Sequence, residues 1–339
     1  MTRYHYKNTG IAGQGTSYAS GYSSNLVNGN IYTNDGWEAV VNARPIVNPN
    51  GLNWSVILNW STYVKKWVND ANPDNWQHNG TRYDLVYGNA FVRAADGKLV
   101  IDPTSGQYIT YSEEGSPAQK IFGHSDPNWQ WAAINTFSYK SLSLRFQFDG
   151  IVGGVIDDYV RDKTLQGGRH IEAATGAIGV ARPMDEAGIA AYTGNGVNLT
   201  GAAIALDPVS GVVTNSKQLT ESTNTTKSLV QPFVYQMSSI ADLDIIKKTY
   251  TKLREVALTY KLGPVFGKKS LLQDPTVSLV GRNLLYFFPR RYKDLDVDQY
   301  SQASYSYGSS GTASIGSSYS SGLQTPTTRS YGINFNFSF

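Results

Sequence analysis

The chain contains no cysteine, and that absence removes disulfide scaffolds, thiolate zinc sites and cysteine nucleophiles at once. Charge is also scarce. Asp, Glu, Lys and Arg together make up 16% of the 339 residues, the net charge is only +3, and no stretch gathers Lys or Arg as densely as a nucleic-acid groove requires. Nucleic acid is therefore not an expected partner. No apolar run reaches the about 18 residues of a membrane helix. A membrane strand, by contrast, needs only about 10 alternating residues and escapes hydropathy analysis, so a mean hydropathy of −0.33 is compatible with membrane residence. The first residues, MTRYHYKNTGIAGQG, lack the charged-then-apolar pattern of a signal peptide. Either the product stays in the cytoplasm, or Met1 is not the true start.

What the chain has in quantity is tyrosine (23) and glycine (33), with abundant Asn and Ser, a mixture suited to many strands joined by polar turns. Period-two alternation is the clearest local signal. In SLSLRFQF, Leu142, Leu144, Phe146 and Phe148 oppose Ser143, Arg145, Gln147 and Asp149. In LNWSVILNW, Leu52, Trp54, Val56, Leu58 and Trp60 share a face, with Ile57 the exception on the other. The last segment sets Tyr331, Ile333, Phe335, Phe337 and Phe339 against Ser330, Gly332, Asn334, Asn336 and Ser338. Such strands would line a soluble β-sandwich as well as a membrane barrel. Aromatics near strand ends, Trp37, Trp54, Trp60, Trp67, Trp129, Trp131 and Tyr139, favour a lipid-facing band with an interfacial girdle.

Turn-rich segments separate the strands, and the stretch from about residue 157 to 231 is too long for a tight turn, so it reads as one long loop on one side of a barrel. Residues 240–247 predict a short helical turn leading into a strand. The low-complexity run SQASYSYGSSGTASIGSSYSSG reads as a surface loop.

Four segments, NGNIYTNDGWEAVVNARPI, GHSDPNWQWAAINTFSYKSLSLRFQFDGIVGG, YTKLREVALTYKLG with VSLVGRNLLYFF, and PTTRSYGINFNFSF, resemble in order the C-terminal part of the SusC/RagA-type TonB-dependent outer-membrane transporters of Bacteroidetes. One departure is YKDLDVDQY, where the family has an Asp-Pro-Glu step. The resemblance implies an all-β fold: the C-terminal portion of an antiparallel transmembrane β-barrel of about 22 strands closed by a plug. Roughly nine or ten strands would fall in this chain, counted as alternating segments. It further implies nutrient import (of glycan or oligopeptide) without covalent chemistry or a cofactor, residence in the outer membrane and its lipid, and a SusD-like surface lipoprotein as partner. Coupling to the TonB complex would run through an N-terminal region that has no counterpart here, like the plug and signal peptide. An open half-barrel leaves two unpaired edges in lipid, so the chain alone is not expected to transport. Gly332, Phe335, Phe337 and the terminal Phe339 resemble the signal read by the barrel-assembly machinery. The alternative is a secreted or surface all-β carbohydrate-binding module with its aromatic faces in a dry core.

Other candidates carry less. DLDVD places carboxylates at positions one, three and five of a Ca²⁺ loop, but Gln299 and Tyr305 replace the required Gly and Glu, so a solvated acidic loop is expected. Asp157 and Asp158 fit a loop end better than an acid–base pair. His5, His78, His124 and His170 lack ligand spacing, and Gly13 and Gly15 fail the dinucleotide pattern because Tyr18 replaces the third Gly. Trp76, Trp129, Tyr300, Tyr305 and Tyr307 are loop aromatics with flat faces suited to sugar rings.

Overall fold

The computed structural model describes residues 1–69, 80–111, 120–207, 210–263, 273–288, 296–298 and 327–338. Eight long strands form one antiparallel sheet: β1 (Thr2–Gly15), β2 (Ser24–Ile46), β3 (Leu52–Asn69), β4 (Trp129–Tyr139), β5 (Leu142–Val152), β6 (Tyr250–Lys261), β7 (Gln273–Phe287) and β8 (Ser330–Ser338). Each strand pairs with its neighbours in chain order, β1 through β8, so the sheet is a simple meander. The all-β antiparallel barrel portion read from the sequence is what the chain forms. Its main sheet holds eight strands among the described residues, fewer than the nine or ten counted from alternation. Shorter segments such as Leu85–Gly88 and Lys120–His124 pair only with each other.

The meander explains which edge carries which connection. Segments 47–51, 140–141 and 262–272 close hairpins on one edge, while 16–23, 70–128, 153–249 and 288–329 cross the other. The tightest hairpin works because Lys140 accepts a left-handed φ of 53° at the first turn position, matching the twist of β4 and β5. Short turns on one side and long connections on the other are the pattern of an outer-membrane barrel.

Directly opposed residues share a face, so the register decides what each face presents. Leu52, Trp54, Leu58 and Trp60 lie opposite Tyr139, Phe137, Ala133 and Trp131. Phe146, Leu144 and Leu142 lie opposite Val256, Leu258 and Tyr260, and these meet Gly281, Leu279 and Val277. The row ends at Tyr331, Ile333 and Phe335 on β8. One continuous apolar face results, and no second sheet covers it among the described residues. Val41 is 51% exposed, Leu279 55% and Phe335 69%, as lipid-facing residues are in the absence of lipid. This is the finding against a soluble sandwich, whose aromatic face would be dry. Trp67 departs from the girdle reading. It sits on the odd-numbered face of β3, opposite to Trp60, and is buried against Tyr83 with ring centroids 4.6 Å apart.

The buried core lies in the long connections rather than on the sheet. Ala90, Val92, Ala94, Val100 and Tyr111 from the β3–β4 connection pack against Val197 and Val213 from the β5–β6 connection. Bridges from Arg93 to Val212 and from Val100 to Val197 stitch the two together. The 157–231 stretch is therefore folded, not open. It includes α1 (Tyr159–Gln166), α2 (Gly176–Ala181), the start of α3 (Val230–Met237) and a hairpin of Val197–Gly201 with Leu219–Thr223. Sequence alone missed this because the two connections supply one core jointly, and neither has enough apolar periodicity by itself. The expected helical turn before β6 is α4 (Ala241–Asp244), followed by Ile245–Lys247.

Candidate functional site

The face opposite the apolar row is polar, and β6 concentrates its charge. Between Leu253 and Glu255 the register shifts against both β5 and β7, leaving Arg254 as a bulge residue. A bulge adds one residue to one strand and re-aims the side chains around it. Arg254 and Glu255 are adjacent, yet both reach the polar face. Glu255 accepts hydrogen bonds from Arg145 Nη1 at 2.5 Å and from Arg282 Nε at 3.1 Å. Arg254 grips Asp149 with two parallel bonds, Nε at 2.8 Å and Nη2 at 2.6 Å, the fork geometry that favours arginine over lysine.

Arg254 also donates from Nη1 to Asp298 at 2.6 Å, and this contact draws in the last long connection. Lys252, whose side chain is 2% exposed, donates to Asp296 at 2.6 Å and to Asp298 at 3.1 Å. Its ammonium stands 4.8 Å over the ring of Tyr286. Tyr250 donates its hydroxyl hydrogen to Asp298, and Thr327 donates to Asp296. Between the two carboxylates, Val297 is buried with Val86, Ile151, Ile156, Ile246 and Tyr250, and its amide donates to the Tyr286 hydroxyl at 3.1 Å. Burial alone would raise the Asp298 carboxyl, but Arg254, Tyr250 and Lys252 outweigh it and hold it down to about 2. Asp296–Val297–Asp298 thus pins the β7–β8 connection to the barrel wall by charge at both ends and by apolar packing in the middle.

This corrects the reading of DLDVD. Asp296 and Asp298 are not a solvated acidic run, because the cations they neutralise come from β6, far away in sequence. Asp294 lies outside the described residues. Among the described residues no cluster of His, Asp and Glu is arranged to hold a metal ion. His5 contacts Asp35 at 2.6 Å, His124 contacts the Asp126 carbonyl at 2.6 Å, and His170 accepts from the Glu172 amide at 3.3 Å. Asp157 ends a short strand and Asp158 caps α1, so both stand at an element boundary.

Of the aromatic candidates, Trp129 begins β4, while Trp76, Tyr300, Tyr305 and Tyr307 lie outside the described residues, as do His78 and residues 301–322. Gly332, Phe335 and Phe337 lie on β8, the last strand of the sheet, with Phe335 and Phe337 exposed on the apolar face; Phe339 is outside the described residues. Gly332 falls opposite Val280 on the polar face, where no atom crowds it.

No family model matches the chain, and no curated protein matches it. Solved structures do. The RagAB peptide importer in its "open-open" state superposes with a TM-score of 0.60 at 16% identity, covering 99% of this chain and 32% of the importer chain. The "closed-closed" state gives 0.57 at 16% identity over 99% and 33%, and a structure of the RagAB peptide transporter gives 0.53 at 16% identity over 96% and 31%. The chain spans about a third of the length of the chains it resembles. By fold, the chain is the antiparallel barrel portion of a RagAB-type importer chain.

Proposed function

We propose that this chain is the carboxyl-terminal part of the barrel of a SusC/RagA-type, TonB-linked nutrient importer in the outer membrane. The observation that carries the reading is the meander itself, with one unbroken apolar face and every long connection on one edge. Lipid covers the apolar face, the polar face lines the lumen, and the long-connection edge, with its folded insertion over 153–249, stands outside the cell. The parent transporter captures its nutrient at that outer edge together with a SusD-like lipoprotein. Energy reaches it from the TonB complex through a region beyond this chain, and a plug closes the lumen. The work is binding and displacement, with no covalent step.

Short peptides are the favoured cargo, since the similar solved structures are described as peptide importers. On β8, the aromatic residues Phe335, Phe337 and Phe339, with Gly332, form the segment that the barrel-assembly machinery engages. The test is uptake: cells deleted for the parent gene are supplied with labelled oligopeptide or oligosaccharide mixtures. Loss of peptide uptake alone supports the reading; loss of oligosaccharide uptake alone keeps import and replaces the cargo. Unchanged uptake of both refutes import.

A further inference from the structure

The insertion leaves the barrel after β5 and returns before β6 through a two-stranded stalk. Val155–Asp157 pairs with Ile245–Lys247, Asp157 lying opposite Ile245, and the Asp158 amide donates to the Asp244 carbonyl at 2.8 Å. Three carboxylates, Asp157, Asp158 and Asp244, therefore crowd the top of the stalk. They are not equally compensated. Asp244 is 3% exposed and receives Arg161 Nη1 at 2.5 Å, while the same guanidinium is shared with Glu172 at 2.6 Å. Asp158 accepts the Arg161 amide at 3.1 Å as the cap of α1, with His170 nearby.

Asp157 has no hydrogen bond or ion pair among the described residues. The charges facing it from α1 are Asp162 and Lys163, and these engage each other at 3.2 Å. From the adjoining strand Lys120–His124, Lys120 is taken by Asp242 at 2.6 Å and His124 by a carbonyl. The neck thus holds more negative groups than cations to serve them, in a site largely closed to water. Such a cluster retains a proton. It resides on Asp157, because Arg161 already neutralises Asp244.

We propose that Asp157 and Asp244 form a proton-locked neck: with one proton held between them the stalk is shut and the insertion is fixed to the barrel rim, and loss of that proton opens the stalk and frees the insertion. Burial, and then Asp244, Asp162 and Asp158, push the Asp157 carboxyl up to about 7, and the Asp244 carboxyl is raised as well. A carboxyl raised in the closed form stabilises that form fully below the ordinary carboxylate range, and the contribution is lost as pH rises through about 7. The lock is therefore set in mild acid and released in mild alkali. It does not depend on which nutrient is carried.

Hydrogen exchange of the full chain in lipid nanodiscs at pH 5.5 and pH 8.5, corrected for intrinsic exchange, tests this. Protection of the Ile246 amide and of α1 is expected to fall at least about tenfold at the higher pH, with β5 unchanged as the internal control. In Asp157→Asn, a permanent mimic of the protonated group, protection is expected to be high and equal at both values. A drop of the same size in the variant overturns the proposal. So does a wild-type chain whose stalk exchanges equally at both pH values, a result that needs no variant to fold.

Discussion

Replacing Lys252 by Met tests whether the Asp296–Val297–Asp298 segment is held by charge. The Lys252 side chain is almost fully buried, so screening by solvent is negligible, and removing one partner of a buried ion pair costs about 3–5 kcal/mol because the other charge is stranded. Here the stranding is partial. Asp298 keeps Arg254 and Tyr250, while Asp296 keeps Thr327 and the amide of Asp298. The cost is therefore placed at about 2–3 kcal/mol, a factor of about 30 to 140 in the opening equilibrium. Because the chain has no cysteine, Val297→Cys supplies a unique thiol at a position 2% exposed. Its maleimide labelling rate reads the opening directly, and the small cost of the cysteine itself is common to every arm. Lys252→Met should raise the rate by that factor, and adding Asp296→Asn should recover part of the loss by removing the stranded charge. A rate within about threefold of the parent would place the effect among ordinary surface changes and sink the argument. A double variant as labile as the single one would refute the stranding in particular.

The same thiol reports the pH response of the segment. Asp298 is held at about 2, so its contribution is complete above the ordinary carboxylate range and is lost as pH falls toward that value; labelling at pH 5 should match labelling at pH 7. On β8, Phe335→Arg puts a charge in the apolar row and should cost about 2–4 kcal/mol near the bilayer midplane, visible as a smaller heat-resistant, membrane-inserted fraction. Asn334→Arg, on the polar face opposite Ser278, should insert normally; equal defects in both would contradict the face assignment. In the insertion, Gly211 has a φ of 68° and an added Cβ would fall on the Tyr111 ring, so Gly211→Ala should open the shared core. Faster proteolysis confined to 80–111 and 197–213 is the expected result, and intact loops after prolonged digestion would count against it.

The amphipathic strands were legible from the sequence alone, because a period of two is a local property that packing does not alter. Leu142–Phe148, Leu52–Trp60 and Tyr331–Phe337 each occupy the face that their alternation indicated. The helical turn before β6 was legible for the same reason. What alternation does not encode is which charges meet. Arg254 reaches Asp149 only because a bulge turns two consecutive residues to one face, and Lys252 finds Asp296 only because β6, β7 and the connection beyond β7 converge. Likewise, Val92 and Val100 share a core with Val197 and Val213 across nearly a hundred residues of chain. Local pattern determined the strands, their faces and the absence of thiol chemistry. Tertiary pairing alone decided that the acidic run is a buried clamp and that the long connections form a folded body, since both depend on contacts between segments whose separate sequences give no sign of each other.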